Sequence, residues 1–284
     1  MNKDYPFLIR TDMADEAHRL WQGSTEKRTE LSGVRSGRGM LHGLELFETE
    51  ILDREGEEAL GKARGKYYSL SLPRHFERGA EDFHNTVTAL AEIIKECSPK
   101  SFDRVLVAAL GNPDITPDAL GSLAASSILV TRHLDRKEFP QFRSIALCRP
   151  GVLGTSGMES AAQVKSLCSL SEAELVIVID ALAGSEAKRL CRCIQISDAG
   201  ISPGSGVGND RQELSRTSLG VPVVAIGMPT VIEPAHLGGS DLGEMFMTPR
   251  SIDSLVRNAG RLIGYSINMA VHGLSVEDID ALVG

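Results

Sequence analysis

The chain has 284 residues, 42% of them hydrophobic and 24% charged, with a formal net charge of -8. That composition excludes a disordered chain, and the acidic balance offers no electrostatic footing on nucleic acid. No run of 18 apolar residues occurs, so a membrane-spanning helix is excluded, and the apolar stretch in the first 13 residues is too short for a signal peptide.

In chain order, an amphipathic stretch from Asp12 to Trp21 comes first. Leu44 to Leu52 alternates apolar and polar residues like a half-exposed strand. Lys66 to Leu72 is its expected partner, with Gly56, Gly61 and Gly65 in the connection. A helix is predicted over Glu81 to Cys97. The pattern then changes to short, nearly continuous apolar runs at Val105–Leu110, Ser144–Leu147, Leu175–Ile179 and Val221–Ile226. Helix-like segments near Asp118–Val130 and Met158–Leu170 separate the first three runs, and a long amphipathic helix, about Ser251 to Val271, comes after the last. Buried strands alternating with helices predict an α/β fold, a mostly parallel sheet with helices on both faces, carrying an extra N-terminal β-containing lobe. One domain over residues 13–284 is expected, with residues 13–100 as a lobe integrated into it.

The five cysteines are odd in number and form no C-x-x-C, which argues against a disulfide framework or zinc ribbon and for a reducing cytoplasm. Cys148 and Cys193 lie in apolar, strand-like runs and read as buried thiols rather than nucleophiles.

In a parallel sheet the chemistry gathers beyond the C-terminal ends of the strands. The loops so selected are 111–118, 149–152, 180–183 and 227–230, with a glycine-rich fifth at 197–209. Asp180 comes directly after five apolar residues, where desolvation raises a carboxyl pKa and suits acid/base work. A helix cap or strand-end acceptor is the alternative. Asp118 sits in Thr116-Pro117-Asp118, a natural helix start with Thr116 at the cap, and local sequence favours that reading. What raises Asp118 is that it and Asp180 would converge on one sheet edge. Two carboxylates at close range share a proton, one acting as acid and one as base toward water. Asp198 precedes Pro203-Gly204-Ser205-Gly206-Val207-Gly208, a weak phosphate-loop signal without the P-loop lysine, better read as a flexible loop approaching a substrate chain. No H-E-x-x-H and no G-x-S-x-G elbow occurs. Ser156 reads as a turn or cap residue.

These segments resemble the germination protease family of endospore formers, nearly end to end. The blocks that carry the resemblance include Arg10-Thr11-Asp12-Met13-Ala14-Asp15-Glu16-Ala17, Leu110-Gly111-Asn112, Thr116-Pro117-Asp118-Ala119-Leu120-Gly121 and Asp180-Ala181-Leu182-Ala183. They also include Ile194-Gln195-Ile196-Ser197-Asp198-Ala199-Gly200-Ile201 and Leu219-Gly220-Val221-Pro222-Val223-Val224-Ala225-Ile226-Gly227. The resemblance implies an atypical aspartic endopeptidase, without cofactor, that degrades small acid-soluble spore proteins in the spore core. It further implies a fold similar to hydrogenase-maturation endopeptidases and a homotetrameric zymogen that removes its own propeptide. The family's two aspartates correspond to Asp118 and Asp180, with Asn112, Asp198, Gly204 and Gly206 as substrate-binding or supporting positions. The sequence around Asp12-Met13-Ala14 resembles the family's substrate sites, so cleavage is expected between Asp12 and Met13, with residues 1–12 as propeptide. Gly184 and Ser185 stand where the family usually has alanine and arginine, and Pro113 and Asp114 replace bulkier residues. Two alternatives stay open: a metal-dependent processing peptidase using Asp118, Asp180 and His236, and a binding protein that has lost activity.

Overall fold

The structure, a computed structural model, describes residues 11–24, 31–204, 212–233 and 245–283. Helix α1 (Ala14–Ser24) is followed by β1 (Val34–Leu41) and β2 (Leu44–Ile51), α2 (Arg54–Leu60), β3 (Gly65–Ser71) and α3 (Phe83–Cys97). Next come β4 (Arg104–Ala109), a 3-10 turn (Thr116–Asp118), α4 (Leu120–Ala125), β5 (Ser144–Cys148), α5 (Leu153–Ser156), α6 (Ser160–Ser171) and β6 (Leu175–Gly184). The chain continues through β7 (Cys193–Ser197), α7 (Arg216–Leu219), β8 (Val223–Ile232), α8 (Ile252–His272) and α9 (Val276–Val283).

The strands form one sheet in the order β1-β2-β3-β7-β8-β6-β4-β5. The pairs β5–β4, β4–β6 and β6–β8 are parallel. The N-terminal strands extend the same sheet antiparallel, joined to it through β3–β7 and β7–β8. The α/β class, the parallel core and the β-containing N-terminal part are thus as the sequence predicts.

The two cores explain why the parallel strands are apolar throughout. Val105, Val107, Ile177 and Ile226 pack against α3, α4 and α8 on one face. Leu106, Ala108, Val176 and Val178 pack against α6 on the other. A strand covered on both faces has no solvent side to alternate with. The N-terminal strands do alternate: in β2, Leu44, Leu46, Thr49 and Ile51 are buried between more exposed neighbours. The β1–β2 hairpin closes over His42 and Gly43, both at positive φ (49° and 80°), the backbone of a tight two-residue turn.

Three expectations change. The β2–β3 connection is not glycine loop alone. Asp53 caps α2 by accepting from the Gly56 N–H at 3.1 Å, and Gly61 ends it in the left-handed region. The helix expected from Asp118 begins at Leu120 and ends at Ala125, because Thr116–Asp118 closes as a 3-10 turn. Residues 180–183 and 227–230, expected as loops, belong to strands. β6 and β8 go on pairing past the end of β4, through a bulge after Leu182. Among the described residues no helix is long and apolar enough to cross a membrane.

Candidate active site

The strand order turns at β4. The chain leaves β4 through α4 to β5 on one side, then returns through α6 to β6 on the other. Above such a switch the connections part and open a crevice at the C-terminal ends of the strands. The loop leaving β4 carries Asp118 there, and the 3-10 turn that holds it rests against β6, β8 and α8. Asp118 Oδ2 accepts from the Asn112 backbone N–H at 2.8 Å, and Asn112 Oδ1 accepts from the Asp114 N–H at 3.0 Å. The loop thereby folds back on itself. Gly111 makes that closure possible: it lies at φ 94°, and a Cβ there would stand 2.0 Å from the Asp118 carbonyl oxygen.

Asp180 is buried within β6, and its Oδ1 accepts from the Ala181 N–H at 3.0 Å. It pairs with Gly227 of β8, which pairs on its other side with Gln195 of β7. Asp180, Gly227 and Gln195 form one row across three strands. Val176 and Val178 share one core, and Ile177 and Ile179 the other. Alternation therefore puts Asp180 on the face of Val176 and Val178. Gln195 lies on that face too, since Ile194 and Ile196 belong to the opposite core. With strands about 4.8 Å apart, the two Cα atoms stand roughly 10 Å apart, and the Leu182 side chain fills the space over the glycine between them.

Over this row lies the chain's own N-terminal segment. The Asp12 N–H donates to the Ala183 carbonyl at 2.8 Å, and the Ala183 N–H donates to Asp12 Oδ2 at 2.8 Å. Gln195 Nε2 donates to the Asp12 carbonyl at 3.1 Å, while Gln195 Oε1 accepts from the Ala14 N–H at 2.8 Å. Met13, fully buried, fills a small apolar pocket with Leu182, Cys193 and Ile201. Burial lowers the pKa of the neighbouring Lys62 ammonium, with the Asp12 carboxylate working against that shift. Behind the segment, α1 is fixed by buried charge. Asp15 pairs with Arg189 and accepts from Ser69 Oγ at 2.9 Å. Glu16, with no exposed surface, accepts from Thr11 Oγ1 (2.8 Å), Ser185 N–H (2.6 Å) and Ser185 Oγ (2.8 Å), with Arg189 Nε 3.6 Å away. Ser185 is thus a hydrogen-bond donor to Glu16, and the guanidinium near that carboxylate comes from Arg189.

The other expected positions divide. Asp198 Oδ1 accepts from the Lys66 N–H at 2.7 Å and ties the end of β7 to the start of β3. It lies three residues down the descending strand from Gln195, about 10 Å from the row, so the structure does not bring it to Asp180. Gly204 adopts φ 76° in a turn. Gly206 and His236 lie outside the described residues. Among the described residues no group of three or more His, Cys, Asp or Glu side chains is placed to hold a metal ion. Burial pushes the Cys148, Cys191 and Cys193 thiols up to about 12, so they are protonated at neutral pH and poor nucleophiles. Ser156 ends α5 and accepts from the Met158 N–H at 3.2 Å, a turn role.

Comparison with known proteins gives these segments a context. Residues 10–242 match the model of the family described as germination protease. The chain belongs to the germination protease family. A germination protease of Caldanaerobacter subterraneus subsp. tengcongensis is 36% identical over 97% of this chain and 98% of its own length. One of Clostridium acetobutylicum is 31% identical over 97% and 99% of the two chains. One of Bacillus cytotoxicus is 34% identical over 90% of this chain and 69% of its own. Among solved structures, the NiFe hydrogenase maturation protease HycI from Thermococcus kodakarensis KOD1 aligns with a TM-score of 0.37 and 16% identity, over 62% of this chain and 99% of that one. Membership of the germination protease family makes this chain a peptidase by descent. Gln195, Glu16 and Arg189, which the sequence pattern does not single out, are the residues that join its N-terminal segment to the row containing Asp180.

Proposed function

We propose that this germination protease is an aspartate-dependent endopeptidase made as a zymogen. Its first substrate is its own Asp12–Met13 bond, and its later substrates are small acid-soluble spore proteins in the spore core. Asp118 and Asp180 form the acid/base pair. One carboxylate takes a proton from water as its oxygen adds to the scissile carbonyl carbon. The other, protonated, delivers a proton to the departing amine as the carbon–nitrogen bond breaks. A homotetramer is the proposed assembly, and neither metal nor organic cofactor has a part.

The observation that carries this reading is one of placement. The Asp12–Met13 bond is held on the face of the sheet to which Asp180 points, and the turn bearing Asp118 rests on the ends of β6 and β8. An acidic residue followed by a buried apolar one is also what the family's substrate sites look like.

The test is cleavage of a small acid-soluble spore protein by the chain lacking residues 1–12, with Asp118→Asn and Asp180→Asn beside it, with and without chelator. Each substitution is expected to lower kcat by about 10²–10⁴-fold, with chelator changing nothing. Activity persisting in either variant would remove that aspartate from the mechanism, and loss with chelator restored by one metal would replace the mechanism.

A further inference from the structure

Gln195 is not the ordinary case of a buried amide that satisfies itself on nearby backbone. It reaches the chain on both sides of one residue, Met13, 183 residues away in sequence at the Asp12 end and 181 at the Ala14 end. Its Nε2 donates to the carbonyl oxygen of Asp12, the oxygen that becomes negative when water adds to that carbon. Its Oε1 holds the N–H of Ala14, which fixes the peptide on the leaving side. We propose that Gln195 is a catalytic residue for hydrolysis of the Asp12–Met13 bond: its side-chain N–H stabilises the developing oxyanion while its carbonyl keeps the peptide in register. The inference rests on the reading of Asp12–Met13 as the bond cut and Asp180 as part of the acid/base pair.

Three features support a catalytic part over simple anchoring. Anchoring is already supplied elsewhere. Ala183 exchanges two hydrogen bonds with Asp12, Met13 is buried among Leu182, Cys193 and Ile201, and Asp15 and Glu16 hold α1. Next, Gln195 shares its row with Asp180, and the space over the intervening Gly227 is filled by the Leu182 side chain, which packs with Met13. That apolar cover lies beside the carbonyl that Gln195 holds, and a donor kept away from water acts most strongly on charge that develops there. Finally, the donor is neutral. A neutral amide stabilises negative charge that appears only in the transition state and neither adds charge to the buried site nor titrates beside the aspartates.

The chemistry balances without a further reactant. Water loses one proton to a carboxylate and forms the carbon–oxygen bond, the carbonyl π pair moves onto the oxygen facing Gln195, and collapse expels the Met13 nitrogen, which takes a proton from the other aspartate. The products are a chain ending in Asp12 and a chain beginning with Met13. The second should keep Met13 and α1 in place, because the contacts of Asp15 with Ser69 and Arg189 and of Glu16 with Ser185 survive the cut.

The experiment uses the full-length chain and tracks loss of residues 1–12 by intact mass. Gln195→Glu, Gln195→Met and Asp180→Asn are run beside the unsubstituted chain, with hydrogen exchange at the Ala14 amide and thermal denaturation on each. At neutral pH Gln195→Glu keeps an acceptor for the Ala14 N–H but has no donor for the Asp12 carbonyl. Its cleavage rate is expected to fall about 10²–10³-fold with Ala14 still protected, and Gln195→Met should lose both rate and protection. A Gln195→Glu rate within about threefold of the unsubstituted chain, with Asp180→Asn inert, would overturn the role of Gln195 alone. So would a fall in rate that only tracks lost Ala14 protection, which marks an anchor. Cleavage by Asp180→Asn at the unsubstituted rate, or a chain that never loses residues 1–12, would instead remove the reading on which the inference stands.

Discussion

The two halves of the sheet are built on different rules. In the parallel half, β4, β5, β6 and β8 are sandwiched between helices, and their stability comes from two apolar cores. In the antiparallel half, β1 is exposed along nearly its whole length and meets β2 through Arg35–Glu50 and Arg38–Glu45 pairs. There a small apolar cluster of Ala14, Leu31, Ile51, Leu60 and Tyr67 is joined by a buried ionic one, Asp15, Glu16 and Arg189. Apolar packing fixes the parallel half as a rigid frame, and Asp118 and Asp180 stand at its upper edge. Directional contacts, many of them to charged groups, fix one particular segment, Thr11 to Glu16, across both halves, from Ala183 on β6 to Ser69 on β3. The junction of β7 and β8 is where the two meet, and Gln195 and Gly227 are one of the three residue pairs at that junction.

The most damaging way to probe that division is Arg189→Ala. It leaves the buried Glu16 without the Arg189 cation and Asp15 with Arg19 alone, a loss of about 3–5 kcal/mol when one partner of a buried ion pair is removed. Chemical denaturation should show that fall, and the fluorescence of Trp21, the only tryptophan, should change as α1 loosens. An equal loss of stability with Trp21 fluorescence unmoved would mean that α1 is held by something other than this ionic cluster.

The same contrast decides what was legible in the sequence. The parallel strands announced themselves because burial on both faces leaves continuous apolar runs, and Asp180 comes directly after one of them, whereas Asp118, eight residues past another in a natural helix start, was raised only by its expected convergence with Asp180. Strand β1 was hidden: its Gly- and Arg-rich stretch has no apolar alternation, and it forms because the His42–Gly43 turn delivers it to β2. Helix α2 was hidden by its glycines, and β7 by its shortness. The ends of β6 and β8 were misread because Asp180, Gly184, Gly227 and Pro229 look like stop signals. They continue only because each strand has the other as partner above the end of β4. Gln195, Glu16 and Arg189 carried no local signal at all, since the partners of Gln195 and Arg189 lie more than 170 residues away.

A second variant tests the rigid half at its edge. Gly111→Ala forces a side chain into the left-handed region and against the Asp118 carbonyl, at a cost of about 1–3 kcal/mol. Activity should fall further than stability, since the loop that positions Asp118 must open. In the antiparallel half, Gly37→Ala meets nothing within 4 Å, so its effect should stay within about 0.5 kcal/mol. Thermal denaturation and peptidase assays on the pair give the comparison directly, and Gly111→Ala with full activity would show that Asp118 does not need this closure.

The smallest expected effect concerns the opposite end of the parallel half, at the C-terminus of α8. His272 packs edge-on against Phe142, with ring centroids 5.3 Å apart, and burial holds its pKa down to about 4 from an ordinary 6.5. The folded-state value lies below the unfolded one, so unfolding takes up a proton in between. The stability due to neutral His272 is complete above about 6.5 and is lost progressively as pH falls toward 4. His18 on α1, also lowered by burial, works in the same direction in the other half. Replacing His272→Phe removes one titration and keeps an aromatic ring, so the melting temperature of the variant should fall less steeply than that of the unsubstituted chain across that window, with the two converging in slope above it. Parallel curves through the window would mean that His272 is charged in the folded protein. A larger flattening from His18→Phe than from His272→Phe would move the dominant neutral histidine from the apolar half to the ionic one.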